Sequence, residues 1–195
     1  ILPTERTNIN GGLDPRTWIK SGLVDFLMPM WYQVFELDPD MPLDWIIQLS
    51  KNTDVEIYGM LMPHKIQEGR RSLFGQWLNA SPEMMNAAAS NFYEKGVDGL
   101  CTWFMKWPLG DKERSTLSNI GDRELLKHSN KEYVIRRNED GGDPEFNKQG
   151  MSASNLGYTS SLPLELKYED LGQPKDLQFY LSDDFDSSSD ILNEI

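Results

Sequence analysis

One pattern constrains the fold of this chain more than any other, because it occurs three times in the N-terminal half. Each copy contains a candidate helix, a polar or glycine stop, and an apolar run with an aspartate near its start. Apolar runs of this kind are typical of parallel strands covered on both faces. Alternating helices and strands therefore predict successive β-α-β units and an α/β fold. The candidate helices are residues 14–22, 42–52 and 81–95, and the apolar runs are residues 23–31, 54–62 and 97–104.

Two of the candidate helices carry recognisable signals at their ends. Asp14 can cap the first turn of a helix, and Pro15 then takes the first helical position, where no N–H group is needed. Ser81 and Pro82 repeat this arrangement. Gly96 can adopt the left-handed conformation that ends a helix. We therefore expect helices that begin at residues 15 and 82, the second of them ending at residue 95.

The negative charge of the chain is concentrated towards its C-terminus. The net charge is -12, and residues 139–195 hold 13 acidic and 3 basic residues. Residues 138–144 are dense in turn formers. We predict a first domain over residues 1–138, a linker over residues 139–160 and a separate C-terminal β module over residues 161–195. Within that module, residues 162–166 and 176–181 alternate like half-buried antiparallel strands.

Composition excludes several classes of protein. The acidic balance argues against a protein that binds nucleic-acid phosphates, and we expect no nucleic-acid partner. No apolar run approaches the roughly 20 residues that span a bilayer, so we expect no membrane insertion. Cys101 is the single cysteine and permits no internal disulfide. Two histidines and one cysteine give no zinc ligand set, and we expect neither a metal nor a cofactor.

Residues 12–30 (GLDPRTWIKSGLVDFLMPM) resemble a "Gly-Leu-Asp…Trp…Gly-Leu-Val-Asp…Pro" signature of family-10-like glycosyl hydrolase proteins of bacteria. Residues 93–100 (YEKGVDGL) are similar to a late barrel unit of that group, and Leu-Pro-Leu at residues 162–164 is similar to the strand that introduces its β-sandwich. The resemblance covers residues 10–182. It implies the C-terminal part of a (β/α)8 TIM-type barrel, its last three or so units, followed by an incomplete antiparallel β module. The chain would then be a fragment of a longer protein, although alternation alone does not separate a barrel from an open sheet.

The same resemblance implies a function. It points to a glycoside hydrolase that is extracellular or periplasmic and acts on a polysaccharide or oligosaccharide without a cofactor. A barrel-plus-sandwich protein that binds glycans without cleaving them is the alternative.

In such barrels the ligand site lies at the carboxyl ends of the strands. Aspartates at the strand starts, such as Asp98, are therefore expected to have structural roles. Aromatic rings beside polar groups suit a sugar, whose C–H face stacks on an indole while its hydroxyls take hydrogen bonds. For Trp31 and Trp103, closing the core is an equal alternative. The candidate substrate-binding residues that follow the three strands are Trp31, Tyr32, His64, Lys65, Trp103, Lys106 and Trp107.

Glycoside cleavage normally needs two carboxyl groups that face the scissile bond. Glu36 and Asp38 follow the first strand and are the candidate catalytic residues. Asp111 and Glu113, beyond the third strand, are weaker candidates. No carboxylate stands directly at the end of the second or third strand, so a catalytic pair could also lie outside this sequence.

Overall fold

The fold is known from a computed structural model that describes residues 1–30, 37–65, 78–103, 105, 107–135, 166–177 and 179–183. For residues 64, 65, 78 and 79 the description covers the backbone. The predicted linker over residues 139–160 lies outside these ranges, and so do residues 162–165 of the strand predicted over residues 162–166. In chain order the elements are α1 (Glu5–Asn10), α2 (Pro15–Lys20), β1 (Phe26–Leu27), α3 (Asp44–Ser50), β2 (Glu56–Leu61), β3 (His64–Lys65), β4 (Leu78–Asn79), α4 (Pro82–Lys95), β5 (Gly99–Thr102), α5 (Asp111–Gly121), α6 (Arg123–Lys127) and a 3-10 turn (Tyr168–Asp170).

The predicted helix ends are confirmed. Asp14 accepts a hydrogen bond from the Thr17 backbone N–H at 3.0 Å, and its other oxygen accepts from the Thr17 hydroxyl at 2.6 Å. These bonds hold the pKa of Asp14 below its usual value. The Ser81 hydroxyl accepts from the Met84 N–H at 3.0 Å. Gly96 ends α4 with φ +101°, a conformation that residues with a Cβ rarely adopt.

Three strands form one parallel sheet in the order β1-β2-β5. Phe26 pairs with Glu56 at the start of β1, and Leu61 pairs with Thr102 at the carboxyl ends of β2 and β5. The Asp98 carboxylate accepts a hydrogen bond from the Ile57 N–H at 2.7 Å and so joins the start of β5 to β2. This confirms the structural role expected for Asp98.

Helices pack on one face of this sheet. Ile57 and Leu61 of β2 belong to a buried cluster with Ile46 of α3 and Phe92 of α4. Gly59 allows the close approach of α4, because a Cβ at this position would lie only 2.5 Å from Phe92 Cδ2. Burial of these apolar side chains is the main force that holds the helices against the sheet.

The other face of the sheet is accessible to solvent near its amino end. Phe26 is 57% exposed and packs edge-to-face on Tyr58, with the ring centroids 5.7 Å apart. The Tyr58 ring lies over Gly99, where a Cβ would be 2.6 Å from Tyr58 Cε1. Strands covered on both faces were expected from the apolar runs, and that expectation is wrong at these positions.

The predicted partial (β/α)8 barrel followed by an antiparallel module is wrong. In the part of the chain that the structure describes, the parallel sheet has three strands and the one antiparallel pairing joins the two-residue strands β3 and β4. Each β-α-β unit brings two parallel strands side by side without any contribution from the rest of the chain. Closure of a barrel depends instead on the number, tilt and stagger of all its strands, which no local sequence pattern records.

The C-terminal segment also differs from its prediction. Residues 176–181 were expected to form a strand, but the described residues of this stretch have no strand partner. Alternation with period two identifies an extended chain and does not identify what it pairs with. The Tyr180 carbonyl and the Ser182 N–H instead form hydrogen bonds with the side chain of Asn91 on α4, as described below.

Candidate functional site

The candidate site lies where the parallel strands end, which we call the carboxyl edge. β2 ends at Leu61 and β5 at Thr102, and these two residues are paired. In open α/β sheets, ligands bind outside this edge. The chain beyond β1 contacts Ile1, whose carbonyl accepts from the Met30 N–H at 2.9 Å and whose amino group donates to the Met28 carbonyl at 3.3 Å.

Two indoles follow β5 at this edge. Trp103 comes directly after Thr102 and is 45% exposed, whereas Trp107 is 82% exposed. Tryptophan is highly buried on average in folded proteins. Two exposed indoles therefore lie within five residues of one another in the sequence, directly beyond a strand end.

His64 and Lys65 lie just beyond β2. They form β3, which pairs antiparallel with β4, and the Pro63 carbonyl accepts from the Ala80 N–H at 2.8 Å next to this pairing. The structure thus holds the backbone of both residues at the carboxyl edge, next to the start of α4.

Asp38 occupies a different environment from the one expected of a catalytic loop residue. It is 2% exposed, and its Oδ1 accepts from the Asp40 N–H at 3.2 Å within a turn. The turn is attached to the C-terminal half of α4, because the Pro39 carbonyl accepts from Asn91 Nδ2 at 3.0 Å and Asp40 pairs with Lys95 at 2.6 Å. This half of α4 leads into the amino end of β5, so the structure does not bring the Asp38 turn together with Trp103 and Trp107.

The weaker candidate Glu113 has a local role. Its Oε2 accepts from the Gly110 N–H at 3.0 Å and caps the first turn of α5. Asp111 lies in the same turn and is exposed. Trp31, Tyr32, Glu36 and Lys106 lie outside the described residues, so their predicted roles remain predictions.

A second aromatic surface was missed by sequence reasoning. Phe26 and Tyr58 form it on the open face of the sheet, and the Tyr58 hydroxyl donates to Glu56 Oε2 at 2.7 Å. This hydrogen bond is the main reason that the pKa of Tyr58 is raised. The period-two alternation of Glu56 and Tyr58 in β2 was the signal for an accessible face, but it was hidden within a mainly apolar run.

The described residues lack two other kinds of feature. No group of three or more His, Cys, Asp or Glu side chains there is placed to hold a metal ion. Within the same residues, every helix is too short or too polar to cross a bilayer.

Comparison with known proteins gives no family for this chain. No protein-family model matches the sequence, and no curated protein matches it.

Proposed function

We propose that the protein binds a polysaccharide or oligosaccharide at the carboxyl edge of its parallel sheet and hydrolyses it as a glycoside hydrolase. The observation that carries the binding step is the exposure of Trp103 and Trp107 directly after β5. An indole offers a flat apolar face for the C–H groups of a sugar ring and an N–H donor at its edge. The backbone of His64 and Lys65 at the end of β2 places further polar residues at the same edge.

Support for the cleavage step comes from the sequence. The resemblance of residues 12–30 to family-10-like glycosyl hydrolases makes hydrolysis of a glycosidic bond the expected reaction, and Glu36 is the first candidate catalytic carboxylate. The same resemblance leads us to propose an extracellular or periplasmic location. Fractionation of cells that produce the protein tests the location, and recovery in the cytosolic fraction alone would contradict it.

Glycan binding without cleavage is the second candidate function. One observation favours it: Asp38, one of the two predicted catalytic carboxylates, is buried and bonded within a turn beside α4. A carboxyl group in that position is not available to a substrate at the carboxyl edge. Hydrolysis then requires a partner for Glu36 other than Asp38.

The binding step is tested by titrating the protein with a panel of neutral polysaccharides and oligosaccharides, using calorimetry. Trp107→Ala and Trp103→Ala should each weaken binding about 10- to 100-fold, because loss of a large stacked side chain costs roughly 1.5–3 kcal/mol. Tyr168→Ala is the matched control, because Tyr168 is an exposed aromatic residue that belongs to the 3-10 turn over Tyr168–Asp170 and does not follow a strand of the parallel sheet. Binding that is unchanged in both tryptophan variants would refute this site.

The cleavage step is tested separately by following new reducing ends on whichever glycan binds. We expect turnover by the unaltered protein and its loss in Glu36→Gln. Turnover that survives both Glu36→Gln and Asp38→Asn would remove these residues from the catalytic role. Binding with no turnover by the unaltered protein would establish the second candidate function.

A further inference from the structure

Asn91 of α4 holds the C-terminal segment in an unusual way. Its side chain is 1% exposed, and its amide nitrogen donates to the Tyr180 carbonyl at 3.1 Å while its Oδ1 accepts from the Ser182 N–H at 3.0 Å. One carboxamide therefore satisfies a carbonyl and an N–H two residues apart, as the edge of a neighbouring strand would. These contacts involve the main chain of residues 180–182 and not their side chains.

Side-chain contacts around this pair are polar. The Ser182 hydroxyl donates to Ser90 Oγ at 2.8 Å and lies 3.1 Å from the Tyr133 hydroxyl. The carboxylate of Asp183 pairs with Lys131 at 2.8 Å, and both of these side chains are largely buried. The ammonium group of Lys95 lies 5.1 Å from the centre of the Tyr180 ring.

Residues 166–177 and 179, which come directly before this attachment, contribute little to the core. The hydrophobic core of the described chain includes no residue beyond Val134. The large apolar side chains in the described part of residues 166–179 are exposed, namely Leu166, Tyr168, Leu171, Leu177 and Phe179. Tyr180 and Leu181 are half-buried, but neither is among the residues packed on the core. Among the described residues, the attachment at residues 180–183 thus consists of polar contacts: hydrogen bonds to Asn91, Ser90 and Tyr133, one ion pair and one ring contact.

We propose that residues 180–183 form a strap that docks on α4 through its main chain and detaches as a unit while the sheet and its helices stay folded. Segments with few buried apolar contacts are the ones that open at a low cost in free energy.

The strap and the turn that contains Asp38 share one hydrogen-bond donor, the side chain of Asn91. The amide nitrogen of Asn91 donates to both the Tyr180 and the Pro39 carbonyls. When the strap leaves, this nitrogen keeps Pro39 as its partner, whereas Asn91 Oδ1 loses the Ser182 N–H and becomes accessible to water. The state of the strap therefore changes the surroundings of the turn that packs beside it on α4.

Hydrogen exchange measured on the full chain tests the strap. We expect the Ser182 amide to exchange at least about tenfold faster than amides inside α4, and Asn91→Ala to accelerate it by about tenfold more through loss of its acceptor. Asn86→Ala is the matched control. Asn86 is similarly buried on the same helix, but its amide donates to the Asn130 carbonyl and not to the strap.

A pair of changes in the strap keeps the test decisive if Asn91→Ala does not fold. Ser182→Pro removes the N–H group that Asn91 accepts, whereas Ser182→Ala removes only the hydroxyl. We expect the Asp183 amide to exchange about tenfold faster in Ser182→Pro than in Ser182→Ala. Equal exchange in the two variants, or a Ser182 amide in the unaltered protein that exchanges only together with the α4 amides, would overturn the strap.

Discussion

Gly59→Ala tests the packing of α4 against the sheet. A Cβ at residue 59 would lie 2.5 Å from Phe92 Cδ2, 3.1 Å from Phe92 Cγ and 3.2 Å from Leu100 Cδ2. Ordinary contact between carbon atoms needs at least 3.4 Å, so the Phe92 ring must move by about 1 Å. Phe92 has no exposed surface and belongs to the buried cluster, so it has no open space to enter.

The expected change in stability follows from two opposing terms. Forcing a methyl group into a well-packed core costs roughly 1–3 kcal/mol. Replacing glycine by alanine in a strand recovers roughly 0.5–1 kcal/mol of backbone entropy. We therefore expect Gly59→Ala to lower the free energy of unfolding by about 1–2 kcal/mol, as the balance of these two terms.

Gly121→Ala is the matched control. Residue 121 is the last residue of α5, and a Cβ there has no atom within 4 Å. This variant should be neutral or more stable by up to roughly 1 kcal/mol, since alanine favours helix over glycine. Both variants are measured by urea unfolding followed by far-ultraviolet circular dichroism. A Gly59→Ala protein as stable as the Gly121→Ala protein would refute the packing of Phe92 on β2.

Two further predictions concern a hydrogen bond and a titration. Asp98→Ala should lower the free energy of unfolding by about 1.5–3 kcal/mol, because it removes a charged acceptor from the Ile57 N–H; a change below about 0.5 kcal/mol in urea unfolding would contradict this role. Burial is the main cause that raises the pKa of Tyr133 to about 12. The folded protein then retains a proton that the unfolded chain releases near pH 10, so this residue's contribution to stability should decline from about pH 10 to 12. Tyr133→Phe should remove that part of the decline in unfolding measured against pH, and an unchanged pH dependence would contradict it.

Local signals in the sequence predicted local structure well. Asp14 and Ser81 cap their helices as expected, and α4 ends at Lys95 before Gly96. Each of these features depends on atoms within four residues of one another.

Long-range structure was predicted less well. The three apolar runs do contain parallel strands that pair as neighbours, but nothing within a β-α-β unit specifies how many units follow, and the barrel assignment is wrong. The segment over residues 176–181 has the alternation of a strand, yet its partner is the Asn91 side chain, about 90 residues earlier in the sequence.

In the candidate site, too, local features could be predicted from the sequence, whereas contacts between distant residues could not. Trp103 and Trp107 were placed beyond β5 because the strand could be located from its sequence. The exposure of Trp103 could not be derived, because an indole in that position can equally close a core. Asp38 was expected in a loop available to substrate. The turn that contains it is instead held by Asn91 and Lys95, which lie more than 50 residues away in the sequence.

The most direct test of the carbohydrate site is a titration followed by the indole N–H resonances in nuclear magnetic resonance spectra. Trp18 and Trp45 provide internal references in α2 and α3, and the Trp45 indole donates to the Pro3 carbonyl at 2.6 Å. On addition of a glycan that binds, we expect the resonances of Trp103 and Trp107 to shift while those of Trp18 and Trp45 stay in place. Binding that leaves both Trp103 and Trp107 unshifted would contradict the account.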